Sequence, residues 1–261
     1  MQAPSLRRVR CYSDARFARW RSPCDEVPTQ FRVPIDQTIP HSMKPKPAAR
    51  ITPPEAPKPP VDAAIPESLE DSEEYENLVF EGCDYADATV RAVHFRRVRF
   101  ERVAFARATL PSAMFVDAAF ATCDLAGARM ERASLSRVEL SGCRVIGARF
   151  PRLNADNVVA RETSFELAEF ASGRITSTRF ERCDLRGATF REMDLRGVVF
   201  QGCNLRNADF RGCKLQGVDL RGSEIAGLGL APESIRGVIL DPFQASHLLT
   251  AWGATVLHEG E

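Results

Sequence analysis

A five-residue repeat of large apolar side chains constrains the fold of this chain more than any other feature. Between residues 76 and 230, all 13 phenylalanines lie at multiples of five, and Leu, Ile, Val, Met or Tyr fill most of the other multiples. Small residues lie two positions before the large one, and Gly is common two positions after it. A period of five matches neither an α-helix nor a continuous strand. The repeat therefore predicts a chain that turns once every five residues.

The pattern stays in register only if every turn has the same direction. Within one unit the small and large residues are two apart, so both point inward from a short extended segment. The following glycine supplies the positive φ that many tight turns require. These features predict an all-β solenoid, in which each coil buries its side chains against its neighbours.

The spacing of the cysteines indicates how many units form one coil. Five of them are separated by multiples of 20, namely Cys83, Cys123, Cys143, Cys183 and Cys203. A four-sided coil of 20 residues stacks these five in one column, whereas a three-sided coil divides the inward-facing cysteines between two columns. The prediction is a four-sided parallel β-helix of about eight coils over residues 76–240.

The repeat units resemble those of the pentapeptide repeat family. Residues 183–187 read CDLRG and residues 208–212 read ADFRG, and the resemblance extends over residues 76–240. It implies a right-handed, four-sided β-helix. The chain is also similar to the members without long loops that interact with DNA gyrase and give quinolone resistance.

Two further segments flank the predicted β-helix. Residues 1–75 hold 13 of the 17 prolines and no glycine, which is typical of a disordered or polyproline-like extension. Residues 241–261 are interpreted as a C-terminal helix and tail. The basic start has no apolar core of a secretory signal and no stretch is long enough to span a membrane, although a mitochondrial-type presequence stays open.

Composition and motifs argue against catalysis. The sequence contains no nucleophile elbow, zinc-protease helix, Walker loop or dinucleotide-binding motif, so we expect no enzyme, no catalytic residue, no cofactor and no metal. Six of the eight cysteines occupy the small inward position, where free thiols act as small apolar side chains. This usage indicates reduced cysteines and a cytoplasmic location.

The series of large residues is weaker at one place. Ala155 and Ala160 replace two large side chains, while Phe150 and Phe165 stay in register. The segment from Pro151 to Ala160 is expected to form either a thinner coil or a kink or short loop that exposes polar side chains.

The C-terminal segment is expected to cover the open end of the solenoid. Asp241 and Pro242 predict the N-cap and first residue of a helix that ends near Gly253. The apolar residues of this helix form a candidate cap and homodimer surface consisting of Phe243, Ala245, Leu248, Leu249 and Trp252. The resemblance to bacterial relatives that dimerise there favours the dimer over a cap alone.

The family resemblance implies a type II topoisomerase as partner. Members that bind DNA gyrase do so by DNA mimicry, which requires a negative surface. The candidate acidic face carries six acids, namely Asp84, Asp87, Asp124, Glu166, Asp184 and Glu224. It also carries four arginines, so its net charge is −2.

Two alternatives to the topoisomerase hypothesis are considered. One is a rigid scaffold for another protein partner. The other is direct binding of nucleic acid by arginines such as Arg96, Arg97, Arg99 and Arg102. Interleaved acids and the scarcity of exposed aromatic residues argue against nucleic acid. A continuous acidic strip would favour mimicry, and alternating charges would favour the scaffold.

Overall fold

The computed structural model describes residues 51–57 and 65–256. The predictions for residues 1–50, 58–64 and 257–261 lie outside the described residues. Residues 65–73 pack against the first coil, because Leu69 is buried in the core and the Tyr85 hydroxyl donates to the carbonyl of Pro66.

The described chain forms a parallel β-solenoid that ends in one short helix. Every strand pair and bridge joins residues about 20 apart, from Glu74 with His94 to Asp219 with Ile239. The elements are β1 (Glu74–Glu76), β2 (Val79–Glu81), β3 (His94–Glu101), β4 (Met114–Ala121), β5 (Ser134–Ser141), β6 (Arg149–Pro151), β7 (Asn154–Arg161), β8 (Glu169–Ala171), β9 (Arg174–Thr176), β10 (Arg179–Glu181), β11 (Thr189–Arg191), β12 (Val199–Gln201), a 3-10 helix (Pro232–Ser234) and α1 (Pro242–Ala251). The predicted coil of 20 residues is therefore confirmed.

Most strands of the described chain belong to one nine-stranded parallel sheet. Its main order is β1-β3-β4-β5-β7-β10-β12, with β2 on β3 and β9 on β7, while β11, β8 and β6 form a second sheet. The strands β3, β4, β5 and β7 have eight residues each and continue across two sides of the coil. This part of the rod therefore has a continuous ladder around one corner.

The core consists of stacked columns of the repeat side chains. Phe80, Phe100 and Phe120 stack with ring centroids 4.9 and 4.7 Å apart. Phe150, Phe170 and Phe190 form a second column at 5.0 and 4.7 Å. Such stacking is possible because parallel strands in register place the same position of successive coils about 4.8 Å apart.

The corners of the coils have positive φ, and glycine supplies only some of them. Gly82 has a φ of 63° and Gly127 of 67°, but Asp87, Arg97 and Asp117 adopt 58°, 49° and 55° at equivalent corners. A left-handed conformation in a residue with a Cβ has an energetic cost. The ladder of backbone hydrogen bonds holds these corners in place, since corner N–H groups such as those of Gly82, Asp87 and Gly127 donate to carbonyls in the next coil.

The coil that contains Ala155 and Ala160 is thinner but regular. Strand β7 pairs in register with β5, β9 and β10 through this segment, so the alternative of a kink or loop is wrong. A cavity of about 50 Å³ lies beside the two alanines. Leu153 also lines it and occupies a position that is small in most coils. The next coil has Gly173 there, where a Cβ would lie 2.3 Å from the carbonyl oxygen of Leu153.

We expect Ala160→Leu to raise the free energy of unfolding by about 1 kcal/mol. Ala160 lies in register between Leu140 and Phe180. A cavity of about 50 Å³ costs ~1.2 kcal/mol at ~24 cal/mol per Å³, and the larger side chain can fill it. Urea unfolding measures the change. Ala168→Leu is the matched control, because Ala168 is fully buried and does not line the cavity, so overpacking is expected to destabilise it. Equal destabilisation by both substitutions would contradict the prediction.

Helix α1 covers the last coil. The Asp241 carboxylate accepts a hydrogen bond from the Gln244 backbone, and the Gln244 side chain accepts one from the Asp241 backbone, which completes a capping box. Within the part of the chain that the structure describes, no helix is both long and apolar enough to cross a membrane.

Candidate functional site

The candidate acidic face is partly assembled as a column. Successive bridges stack Asp84, Asp124, Asp184 and Glu224 at the same position of different coils, with Ala104, Arg144, Ser164 and Asn204 between them. Asp87 lies at a corner and Glu166 lies two positions beyond this column. The parallel register aligns the four acids of the column because they are separated by whole numbers of coils.

Five of the six acids contact an arginine. Asp87 lies 2.6 Å from Arg107, and the carboxylate of Asp184 lies 2.7 Å from the guanidinium of Arg186. The remaining pairs have nitrogen–oxygen distances of 2.6 to 3.3 Å, and they are Asp124–Arg144, Glu166–Arg186 and Glu224–Arg206. Asp84 accepts a hydrogen bond from the backbone N–H of Ala86 at 3.0 Å.

The electrostatic state of this face follows from these pairs. Hydrogen bonds from Arg107 lower the pKa of Asp87, and Asp184 raises the pKa of Arg186. Both shifts favour the charged forms of Asp87 and Arg186. The surface alternates positive and negative charges and has no continuous acidic strip over these described residues.

The four arginines considered for nucleic-acid binding are also engaged by acids. Arg96 lies 3.3 Å from Glu74, and Arg97 contacts Glu76. Arg99 contacts Glu101, and Arg102 contacts Glu81. Such pairing reduces the positive potential that a phosphate backbone would meet.

The residues of the candidate cap and dimer surface divide into two groups. Leu248 is buried against the core, and the Trp252 indole N–H donates to the carbonyl of Leu230 at 3.2 Å. Ala245 is half-buried. Phe243 is 82% exposed and Leu249 is 46% exposed, so these two lie on the outer side of α1.

Sequence reasoning missed Gln244, which lies between these apolar residues. Its side chain is buried, and Nε2 donates to the carbonyls of Leu220 and Ser223 at 2.6 and 2.7 Å. The sequence signal that could have identified Gln244 is a polar residue on the inner face of the predicted cap helix. Both carbonyls lie at the end of the solenoid, where the described chain has no further coil whose backbone N–H groups could donate to them.

Sequence reasoning also missed Asp117, which lies at the corner within β4. Arg137 binds its carboxylate with two hydrogen bonds at 2.6 and 2.7 Å, and these lower the pKa of Asp117. The backbone N–H of Glu55 also donates to it at 3.2 Å. The sequence signal for this pair is an acidic residue followed by an arginine 20 positions later, and the same spacing occurs after Asp87 and Glu162.

The acidic, histidine and cysteine side chains of the described chain lie apart from one another as far as metal binding is concerned. Across residues 51–57 and 65–256, no group of three or more His, Cys, Asp or Glu side chains could hold a metal ion. The buried thiols instead donate to backbone carbonyls, as Cys123 does to Phe100 and Cys203 to Phe180.

Comparison with protein families finds one match. A model described as pentapeptide repeats matches residues 113–150 and 183–222, with 8 copies of the repeat. A search of curated proteins finds no match to the chain.

Solved structures with similar repeats were also found. A trypsin-treated variant of QnrB1, a plasmid-mediated fluoroquinolone resistance protein, is 24% identical, with a TM-score of 0.39 and coverage of 73% of this chain and 98% of that chain. HetL, a pentapeptide repeat protein involved in heterocyst differentiation regulation from the cyanobacterium Nostoc sp. strain PCC 7120, is 18% identical, with a TM-score of 0.28 and coverage of 66% and 86%. These TM-scores carry no argument about activity or partner.

Proposed function

We propose, from the premise that the chain belongs to the pentapeptide repeat family, that it is a non-catalytic rod that binds a protein partner through its flat sides. The observation that carries this proposal is the ladder of paired charges on the candidate acidic face. Pairs such as Asp87 with Arg107 join residues one coil apart, so charges recur at a spacing of about 4.8 Å. A fixed alternating array gives a complementary protein both register and orientation.

Two local ion pairs of equal geometry allow a direct test. Asp184 and Arg186 lie on the candidate acidic face, and Asp209 and Arg211 lie on the adjacent side, each pair with a nitrogen–oxygen distance of 2.7 Å. Exchanging the residues of a pair reverses the local charge pattern while it keeps the net charge.

We expect the exchange on the candidate face to abolish partner capture. The full-length tagged chain is used as bait in a lysate of its own cells, and bound proteins are quantified by mass spectrometry. The variant Asp184→Arg/Arg186→Asp should lose a bound protein at least tenfold, whereas Asp209→Arg/Arg211→Asp should retain it. A bound protein that is insensitive to the first exchange would contradict the assignment of this face.

A type II topoisomerase such as DNA gyrase is the specific partner that one observation favours. The column of Asp84, Asp124, Asp184 and Glu224 presents four carboxylates along the rod axis. Carboxylates in a row can occupy the positions of phosphates on a DNA-binding surface. On this proposal the chain modulates or protects the enzyme by partial DNA mimicry and could give resistance to quinolones. Fluoroquinolone resistance is a property of QnrB1 itself.

A DNA supercoiling assay with purified gyrase, with and without a fluoroquinolone, tests the topoisomerase partner. We expect the chain to inhibit supercoiling or to rescue it from the drug, and the four-fold amide variant Asp84→Asn/Asp124→Asn/Asp184→Asn/Glu224→Gln to require at least tenfold more protein. A control variant removes four acids from the adjacent side, namely Glu131→Gln, Glu169→Gln, Glu192→Gln and Asp209→Asn. No effect of the unmodified chain at large excess over the enzyme would exclude gyrase and leave another protein partner.

We also propose a homodimer through the outer side of α1. The two apolar side chains Phe243 and Leu249 are exposed there, 82% and 46% respectively. Pairing with a second copy would remove both from water. Light scattering should give twice the mass of the 28.9 kDa chain, and Phe243→Asp should give the single mass. Ser246→Asp on the same helix is the control.

A further inference from the structure

Residues 51–57, with the sequence ITPPEAP, lie along one corner of the rod. This docked segment contacts two members, Asp117 and Asn157, of a row of corner residues one coil apart, which we call the Asp117 row: Arg97, Asp117, Arg137 and Asn157. The backbone N–H of Thr52 donates to Oδ1 of Asn157, and that of Glu55 donates to Oδ1 of Asp117, both at 3.2 Å. These bonds join residues 105 and 62 positions apart in sequence.

A second ion pair on the same rod shows what the docked segment changes. Asp87 and Arg107 form the same two-bond pair one coil apart at another corner, where their side chains are 61% and 66% exposed. The side chains of Asp117 and Arg137 are 5% and 35% exposed. The carboxylate of Asp117 is therefore covered, whereas the carboxylate of Asp87 at the other corner is open to solvent.

The spacing of the two donors matches the spacing of the coils. Asn157 and Asp117 are two coils apart, which is about 9.6 Å at ~4.8 Å per coil. Thr52 and Glu55 are three residues apart, which is about 9.3 Å in a polyproline II conformation. Proline fixes this conformation at Pro53 and Pro54 and restricts the residue before each of them to extended backbone. The segment therefore presents two N–H donors to the rod two coils apart, and its prolines reduce the chain entropy that docking costs.

Charge complementarity adds to this match. The Glu55 carboxylate contributes to the raised pKa of Arg137, after the larger contribution of Asp117. Recognition thus uses two backbone donors at fixed spacing together with one acidic side chain.

We infer that the Asp117 row is a binding site for an extended, proline-containing peptide, and that residues 51–57 of the same chain occupy it. The inference deepens the proposed function, on which it rests, by giving the chemical class of a partner segment. A partner peptide with the same pattern of donors must displace the docked segment. Its apparent affinity is the intrinsic affinity multiplied by the fraction of chains in which the row is free.

The test removes the two backbone donors from the full-length chain. Thr52→Pro/Glu55→Pro eliminates both N–H groups, whereas the control Thr52→Ala/Glu55→Ala keeps them. Each chain is titrated into a fluorescent synthetic peptide of residues 51–57, and binding is followed by anisotropy. We expect the proline variant to bind the peptide at least tenfold more tightly than the unmodified chain, because its own segment no longer competes.

A third substitution checks that the peptide binds at the row. Adding Asn157→Ala to the proline variant should abolish the gain, while adding Asn207→Ala, at a corner outside the row with a φ of 56°, should preserve it. Equal peptide binding by all chains, or no binding by the proline variant, would overturn the inference. Because the probe is a synthetic peptide, this test can fail while the ion-pair exchange still abolishes partner capture, and the reverse also holds.

Discussion

Phe100→Ala is expected to lower the free energy of unfolding by about 3–5 kcal/mol. The Phe100 ring is fully buried and stacks between Phe80 and Phe120 at 4.9 and 4.7 Å. It also meets the rings of Phe95 and Phe105 edge-on at 5.1 and 5.4 Å. Removal of the ring thus leaves a cavity between the two neighbouring coils and breaks five aromatic contacts, including an edge-on contact with Phe115 at 6.3 Å, each worth about 0.5–1.5 kcal/mol beyond its buried area.

The matched control for this substitution is Phe100→Leu. The same column contains Leu140, so the coil geometry accepts leucine at this position. We expect Phe100→Leu to lower the free energy of unfolding by less than about 1.5 kcal/mol, which is typical when one large apolar side chain replaces another. Urea denaturation with identical slopes for the three proteins would make the comparison valid. A loss below about 1 kcal/mol for Phe100→Ala would contradict the claim that the stacked columns carry the stability of the rod.

Gln244→Ala is expected to cost about 3 kcal/mol. The substitution leaves the Ser223 carbonyl without its side-chain donor and the Leu220 carbonyl with only the Ser223 N–H at 3.1 Å, and an unsatisfied buried polar group costs about 1–3 kcal/mol. It also removes the half of the capping box in which Gln244 accepts from the Asp241 backbone at 3.1 Å. The helix should detach from the last coil, which thermal unfolding and amide exchange at residues 220–230 would measure.

A variant that keeps the shape of the side chain but adds a negative charge separates the contribution of the two carbonyls from that of the capping box. Gln244→Glu keeps an oxygen for the Asp241 N–H but brings a carboxylate towards two carbonyl oxygens. We expect it to be at least as destabilising as alanine at neutral pH. Thr250→Ala, which removes only a hydrogen bond to the exposed end of the same helix, should change stability by less than about 1 kcal/mol. If Gln244→Glu left the stability unchanged, the cap would depend on the capping box and not on the buried carbonyls.

The sequence predicts the core of this protein well because the repeat encodes it directly. One large side chain per five residues fixes the inward positions, and the cysteine spacing fixes the 20-residue register that places Phe100 over Phe80. The two alanines at 155 and 160 indicate a thinner coil. The cavity beside them depends on how far the coil collapses, which no pattern of residues specifies.

The surface is harder to predict. Acids such as Asp87 and Asp124 were interpreted as a negative face, but each lies one coil before an arginine and pairs with it. The docked segment leaves no side-chain signature, because its donors are the backbone N–H groups of Thr52 and Glu55. Phe243 and Leu249 were grouped with Leu248 by apolar character, whereas the packing of the helix separates them into outer and inner sides.

The contact between Thr52 and Asn157 also sets an order of events during synthesis. The two residues are 105 positions apart, so at roughly 5–20 residues per second the ribosome adds Asn157 about 5–20 s after Thr52. Coils that contain Arg97 and Asp117 can stack within this interval while their corner is still open. A protein that meets the nascent chain then finds the row uncovered, whereas one that arrives after release must compete with an occupant that never leaves the molecule.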